Sequence, residues 1–425
     1  MARRAGRRRA TRARGRRPDR IEAAAHGHGH GHGHGHGHGH GEAADTSQVD
    51  ADAVVARRVR AVVVGLLIPL VLAAVALTVA LWPSGKVTND ALLTEQGRGV
   101  VTKIVPCPGK DAANCDLATV RVTDASVGDT GMEVPVQIPK GKLAPTVHTG
   151  DRIMLGIVPN AGPNGQYQFI DHDRSRPLLL LAGLFAVAVV ALSRWRGLAA
   201  LGALVVTALV LTRFVLPAIL EGTNALLVAV VGGTLIMVLA LFLTHGVNAQ
   251  TSVALVGTIG ALALTAVLGT VFIEVSHISG LGQESASTLG TLVENIDVQG
   301  LLVAGLVIAS LGVLDDVTVT QAAAVWELSA ANPAASRRSL IGAGLRIGRA
   351  HVASVVNTLM LAYAGAALPL LLLFAASNAP STYTISTEDV AIQVIGGLVG
   401  SLGIIAAVPL TTALAAMAVG DRARV

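Results

Sequence analysis

Between Pro177 and Met417 seven long apolar stretches follow one another with few charges inside them. A helix rises about 1.5 Å per residue, so about 20 apolar residues cross a hydrocarbon core of roughly 30 Å. The stretches read as spans at about 178–193, 198–217, 225–244, 252–273, 300–320, 352–376 and 391–418. An eighth, about 61–82, stands apart. It follows Arg57, Arg58 and Arg60, ends on Trp82-Pro83 at a level suited to an interfacial indole, and reads as an uncleaved signal anchor. Only 14% of the 425 residues are charged, where soluble domains carry about 25%, so lipid is the expected solvent.

The formal charge of +5 resembles a nucleic-acid signal until it is located. Ten arginines fall in the first twenty residues and the remainder is near neutral, so no nucleic-acid partner is expected. Residues 1–60 are predicted to be a disordered cytoplasmic tail, its arginines acting as a topogenic anchor or meeting anionic lipid headgroups. Within it, His26 to Gly41 places eight histidines at alternate positions, read as low complexity, with a metal buffer or a tag-like insertion as the alternatives.

Charges between the spans sort by side. Arg194 and Arg196, then Arg337, Arg338, Arg346 and Arg349, then Arg422 and Arg424 share a side with the N-terminus. Glu221, then Glu274, Glu284, Glu294 and Asp297, then Glu388 and Asp389 occupy the other. The positive-inside rule then places both termini in the cytoplasm, with residues 421–425 as a short tail.

Residues 83–176 are polar and carry a different period. Val120/Val122, Met132/Val134/Val136/Ile138, Ile153/Leu155/Ile157 and, more weakly, Tyr167/Phe169 alternate between turn signals, predicting short strands of a small barrel outside the membrane. Cys107 and Cys115 bracket the turn-rich PGKDAAN; a disulfide suits an oxidising compartment, and two unpaired thiols are the alternative. Together these readings predict a mainly α protein: a polytopic helical bundle of about eight spans, with a seven-helix membrane domain over 177–420 and an extracytoplasmic β-domain between spans one and two.

No Gly-Lys pair is followed by Ser or Thr as a phosphate-binding loop requires, no Cys/His spacing suggests zinc, and no H-E-x-x-H or nucleophile-base pair is present. Catalysis, a cofactor and a resident metal are therefore not expected. The informative stretch is Gln299 to Leu328, long enough to span with residues to spare and carrying Asp315 and Asp316 near its middle. An aspartate there costs roughly 2.5–3.5 kcal/mol on insertion scales and by default marks a function. Asp316, Thr320, Ala323 and Glu327 share one helical face. On the next span Arg349, Asn357 and Tyr363 nearly share another, so Arg349 is expected to neutralise Asp316 or Glu327, leaving Asn357 and Thr320 to meet solute or water. The segment RRSLIGAGLRIGR, opened by Ser336 as a cap, is basic and amphipathic and is expected to lie along the inner interface. His245 to Asn248 reads either as a capped turn or as part of the site. Arg213 either snorkels to the outer interface or finds an acid inside the bundle. Gly232, Gly233, Gly257, Gly260 and Gly269 are read as close helix packing.

Three blocks resemble the YibE/F family of bacterial integral membrane proteins: His245-Gly246-x-Asn248-x-x-Thr251; Gly312-x-x-x-Asp316 running to Trp326-Glu327-Leu328; and Gly348-Arg349 running through Asn357-Thr358-Leu359 to Ala362-Tyr363-Ala364-Gly365-x-x-Leu368-Pro369. Where that family often carries basic residues after the Asn and an acid after Gly-Arg, this chain has Ala249-Gln250 and Ala350. The resemblance covers roughly residues 85–420 and implies a permease-like protein of the bacterial cell membrane that moves a small solute or ion without its own ATPase. A non-transporting scaffold or sensor, its β-domain bound to an envelope partner, is the alternative, and homo-oligomerisation is left open.

Overall fold

A computed structural model describes residues 65, 67–85, 95–108, 113–125, 130–158, 166–293, 296–377 and 380–419. The arginine-rich tail, the His-Gly tract, the start of the first span and the C-terminal tail lie outside the described residues.

Among the described residues the polar part has five strands: β1 (Glu95–Pro106), β2 (Cys115–Ala125), β3 (Glu133–Pro139), β4 (Arg152–Ile157) and β5 (Tyr167–His172). They close into a barrel in the order β1-β2-β3-β5-β4, antiparallel throughout except where β3 meets β5, an arrangement of OB-fold type. Period-two side chains fill it: Val120, Val122, Val134, Val136, Ile138, Ile153, Leu155, Ile157 and Tyr167 are all buried. Met132 is exposed because β3 begins one residue later, at Glu133. β1, the longest strand, has no clean alternation because its register slips between Arg98 and Gly99 and again between Val101 and Lys103. Cys107 and Cys115 form a disulfide that ties the end of β1 to the start of β2.

Helices make up most of the rest. Helix α1 (Ile68–Ala80) is followed by Trp82, whose ring stacks on Phe214 with centroids 5.9 Å apart. Beyond it, Ser84 N and Oγ and Gly85 N donate to the Glu221 carboxylate at 2.8–3.1 Å, fastening the lead into the barrel to the helical part. From β5 the chain enters α2 (Ser175–Val210) almost directly. Asp173 holds that junction: it accepts from Ser175 N and Arg152 Nε, and these contacts, those from Ser175 foremost, hold its pKa down to about 2.

A five-residue π-helical turn, Leu211–Val215, continues α2 into α3 (Leu216–Leu220), so that Ser175–Leu220 is one apolar stretch of 46 residues. It is not one straight rod. Arg194 has φ 52°, and a Cβ on Gly197 would approach the Val189 carbonyl oxygen to 2.5 Å. Eight residues apart on a straight helix would be about 12 Å apart along the axis, so the chain folds back at Arg194.

There follow α4 (Ala225–His245), α5 (Ala249–Val275), the short α6 (Glu284–Leu292), α7 (Val298–Ala331), α8 (Arg337–Ala366), α9 (Leu368–Ala376), α10 (Ser381–Ser386) and α11 (Glu388–Val419). Asn224, Asn248, Asp297 and Ser336 cap the starts of α4, α5, α7 and α8 by accepting backbone N–H groups. Among the described residues five segments are long and apolar enough to cross a membrane: Ser175–Leu220, α4, α5, α7 and α11. The α8–α9 pair, bent by 59° where Pro369 interrupts the hydrogen-bond ladder, makes a sixth if it crosses as one unit.

Helices α5, α7 and α11 pack together at the centre, with α4 against α7 and α8 against both α11 and α7. Small residues let them approach. A Cβ on Gly257 would collide with Thr411 of α11, and one on Gly233 would come within 3.0 Å of Leu311. The basic segment after Ser336 departs from expectation. It is not a separate surface helix but the first half of α8, with Leu340, Gly344 and Gly348 buried. Gly344 and Gly348 leave room for Gln321, Val408 and Thr412, which an interfacial helix would not meet.

Candidate functional site

The polar residues of the helical layer fall into three groups. The first is a sealed middle. Thr258 Oγ1 and Thr318 Oγ1 are hydrogen bonded at 2.6 Å between α5 and α7. Below them Gln321 Nε2 donates to Gly344 O at 2.8 Å and to Thr412 Oγ1 at 2.7 Å, joining α7, α8 and α11 through one amide. All four side chains are buried, and most of the hydroxyls also donate to a carbonyl one turn back, which satisfies them without water.

A second group opens at the end shared by the C-terminus of α4, the N-terminus of α5 and the C-terminus of α7. There a cavity of about 610 Å³ is lined by Arg196, Thr244, His245, Asn248, Gln250 and Glu327, with Ser193 and Gly197 of the fold-back closing it. The turn at its rim is highly ordered chemically. Gly246 takes φ 75°, Asn248 Oδ1 accepts from Thr251 N, and Asn248 Nδ2 donates to His245 O at 2.9 Å. Thr244 Oγ1 and His245 Nδ1 are hydrogen bonded at 2.7 Å, and both residues line the cavity. His245 to Asn248 is thus both a capped turn and a cavity wall.

At the opposite end of the same helices lies a cavity of about 500 Å³. It is walled mainly by apolar residues of the π-turn, α7 and α11, with Gln283, Ser285, Tyr363 and Gln393 as its polar points. Among the described residues no acid lines it. Glu388 accepts from Gly280 N and Ser279 Oγ, and Asp297 caps α7, so both close loops. Arg213 is exposed beside Trp82 and Gly85 and has no acid partner among the described residues, the position of a snorkelling arginine.

The predicted stripe lies elsewhere. Asp316, Thr320 and Glu327 share a face of α7, but that face is the exposed one, and Asp316 keeps 70% of its side-chain surface open. Thr320 Oγ1 donates to Asp316 O at 2.6 Å. Arg349 and Asn357 are exposed on α8. The expected Arg349–acid pair does not form. His351 Nε2 lies 3.9 Å from Asp316 Oδ2 instead, and Arg349, two residues away and so about 200° round the helix, points elsewhere. Asp315 is half-buried, with Oδ1 shielded and unpartnered among the described residues. Of the predicted stripe, Glu327 lines the 610 Å³ cavity and Tyr363 the 500 Å³ one.

Sequence reasoning missed Gln321, Thr318, Thr412 and His351. Gln321 adjoins Thr320 and lies 100° from it, so the periodicity was available; what it lacked was a direction. Lipid tails are as apolar as a helix interface, so hydrophobicity does not say which face is inside.

A multi-helix integral membrane protein carrying a small closed β-barrel is the class that this fold defines. Residues 181–421, more than half of the chain, match the family described as YibE/F-like protein, and the chain belongs to that family. No curated protein and no solved structure matches it.

Proposed function

We propose that the chain is a permease of the bacterial cell membrane that moves a small solute or ion through its helical layer. The observation that carries this reading is the pair of cavities at opposite ends of α5, α7 and α11, separated by the buried Thr258, Thr318, Gln321 and Thr412. Two chambers around a dry barrier are what alternating access needs, with the barrier yielding as helices rock. Glu327 and Arg196 give the inner chamber its charge, and the His245 ring lines it beside them. Asp316, with His351 Nε2 3.9 Å away, is the mid-helix carboxylate through which the movement would couple to a proton or cation gradient. Counting α1, both limbs of the fold-back, α4, α5, α7, the α8–α9 pair and α11 gives eight spans. An even number puts both termini on one side and the barrel on the other, and Arg194, Arg196, Arg337 and Arg338 mark the termini's side as cytoplasmic.

The test is solute and ion flux in vesicles reconstituted with the full chain, with and without a pH gradient. Glu327→Gln and Asp316→Asn should each lower flux at least tenfold while leaving expression and folding intact. Unchanged flux in both variants would remove the permease reading. A second reading, a membrane-anchored scaffold or sensor, draws on the direct run of β5 into α2 and the Glu221 clamp, which join barrel and bundle at two points. It requires the barrel and tolerates both substitutions.

A further inference from the structure

On the exposed side of α7 and α8 stand several groups that lipid cannot satisfy. Asp316 is 18 residues into the 34 of α7, near its middle, and His351 meets it from α8. Arg349 is therefore level with Asp316 but turned to the other flank of α8. Asn357, about 12 Å further along the helix, is also exposed. Among the described residues neither Arg349 nor Asn357 makes a side-chain hydrogen bond or ion pair, and Asp316 has only His351 at 3.9 Å. An unpaired carboxylate, guanidinium and amide each cost several kcal/mol in hydrocarbon.

We propose that this face is the contact between two copies of the chain. A two-fold axis along the membrane normal preserves depth and exchanges left with right. Placed beside α8, it brings Asp316 on one flank against Arg349 of the partner subunit on the other, and the converse pair forms by symmetry. Asn357, on the central line between them, meets Asn357 of the partner subunit, and an amide is its own complement as donor and acceptor. Ala350, Ala353 and Ser354 leave the backbones free to approach. The charge pattern selects the occupant: one face carries an acid and a base at equal depth with neither neutralised in its own chain, so a second copy supplies both counter-charges. The ion pair expected within one chain is made between two.

The test is oligomeric state in a bilayer, which is read independently of transport. Both cysteines are in the disulfide, so Ala353→Cys adds a single free thiol. Under mild oxidation in native membranes it should yield a cross-linked dimer, while Leu372→Cys on exposed α9 should not. Single-molecule photobleaching in vesicles should find two steps for the wild type. Arg349→Asp should give mostly one step, and the exchange Asp316→Arg with Arg349→Asp should restore two. Asn357→Leu should weaken dimerisation about tenfold. Single steps for the wild type, equal cross-linking at positions 353 and 372, or dimers indifferent to Arg349→Asp would each overturn the proposal; rescue by the charge exchange excludes misfolding as the cause of its loss.

Discussion

Replacing Gln321 by Leu removes one amide and keeps the volume, so it isolates what that amide contributes. Its Nε2 donates across two helix interfaces, to Gly344 O of α8 at 2.8 Å and Thr412 Oγ1 of α11 at 2.7 Å. Interhelical hydrogen bonds in membranes average about 0.6 kcal/mol and reach about 1.7 kcal/mol, so the pair contributes about 1–3 kcal/mol. The acceptors themselves stay satisfied. Gly344 O keeps its place in the helix, and Thr412 Oγ1 still donates to Val408 O at 2.6 Å, so no large orphan penalty is added. For a helical part of about 240 residues, about 2–4 °C of Tm follows each kcal/mol, which places the loss at about 2–12 °C. The assay is thermal unfolding of the detergent-solubilised full chain, followed by intrinsic fluorescence, with exposed Thr320→Val as the neighbouring control. If Gln321→Leu melts with the wild type, the amide does not hold these helices together and the sealed middle owes its tightness to apolar packing alone.

Gly348→Val drives a side chain into Val408 and the Gln321 amide, so it should cost about 1–3 kcal/mol and lower the yield of folded protein on size-exclusion chromatography. Replacing Cys107 and Cys115 together by Ala frees a loop with a sequence separation of 8 and should destabilise the barrel by about 2.5 kcal/mol on the loop-entropy estimate, read as faster hydrogen exchange in β1 and β2 of the full chain. Because the folded Asp173 pKa is depressed to about 2 from 3.8, its stabilising contribution is complete above pH 4 and is lost as pH falls towards 2. Pepsin should therefore cut the β5–α2 junction faster at pH 2 than at pH 4 in the wild type, with the difference much reduced in Asp173→Asn.

Much of the architecture was legible because two kinds of signal are local. Apolar length announces helices that cross a membrane, and strict alternation over Val134, Val136 and Ile138 or Ile153, Leu155 and Ile157 announces half-buried strands. Each depends only on near neighbours in the chain. β1 escaped because two register slips erase its alternation, whereas the turn inside Ser175–Leu220 was legible: Arg194 and Arg196 part the spans read at 178–193 and 198–217, and the helix breaks at Arg194.

What the sequence determined by itself is the kind of protein: lipid as its solvent, a polar barrel beside apolar helices, and a handful of ionisable residues carried within the spans. Only the tertiary structure decided which way those residues face. It put Gln321 and Thr318 inside, set Asp316 against His351, and turned Arg349 away. The physical reason is that burial against protein and burial against lipid are equally dry. A hydrophobic pattern therefore specifies that a helix spans and leaves its rotation to hydrogen bonds and close packing with helices distant in the chain.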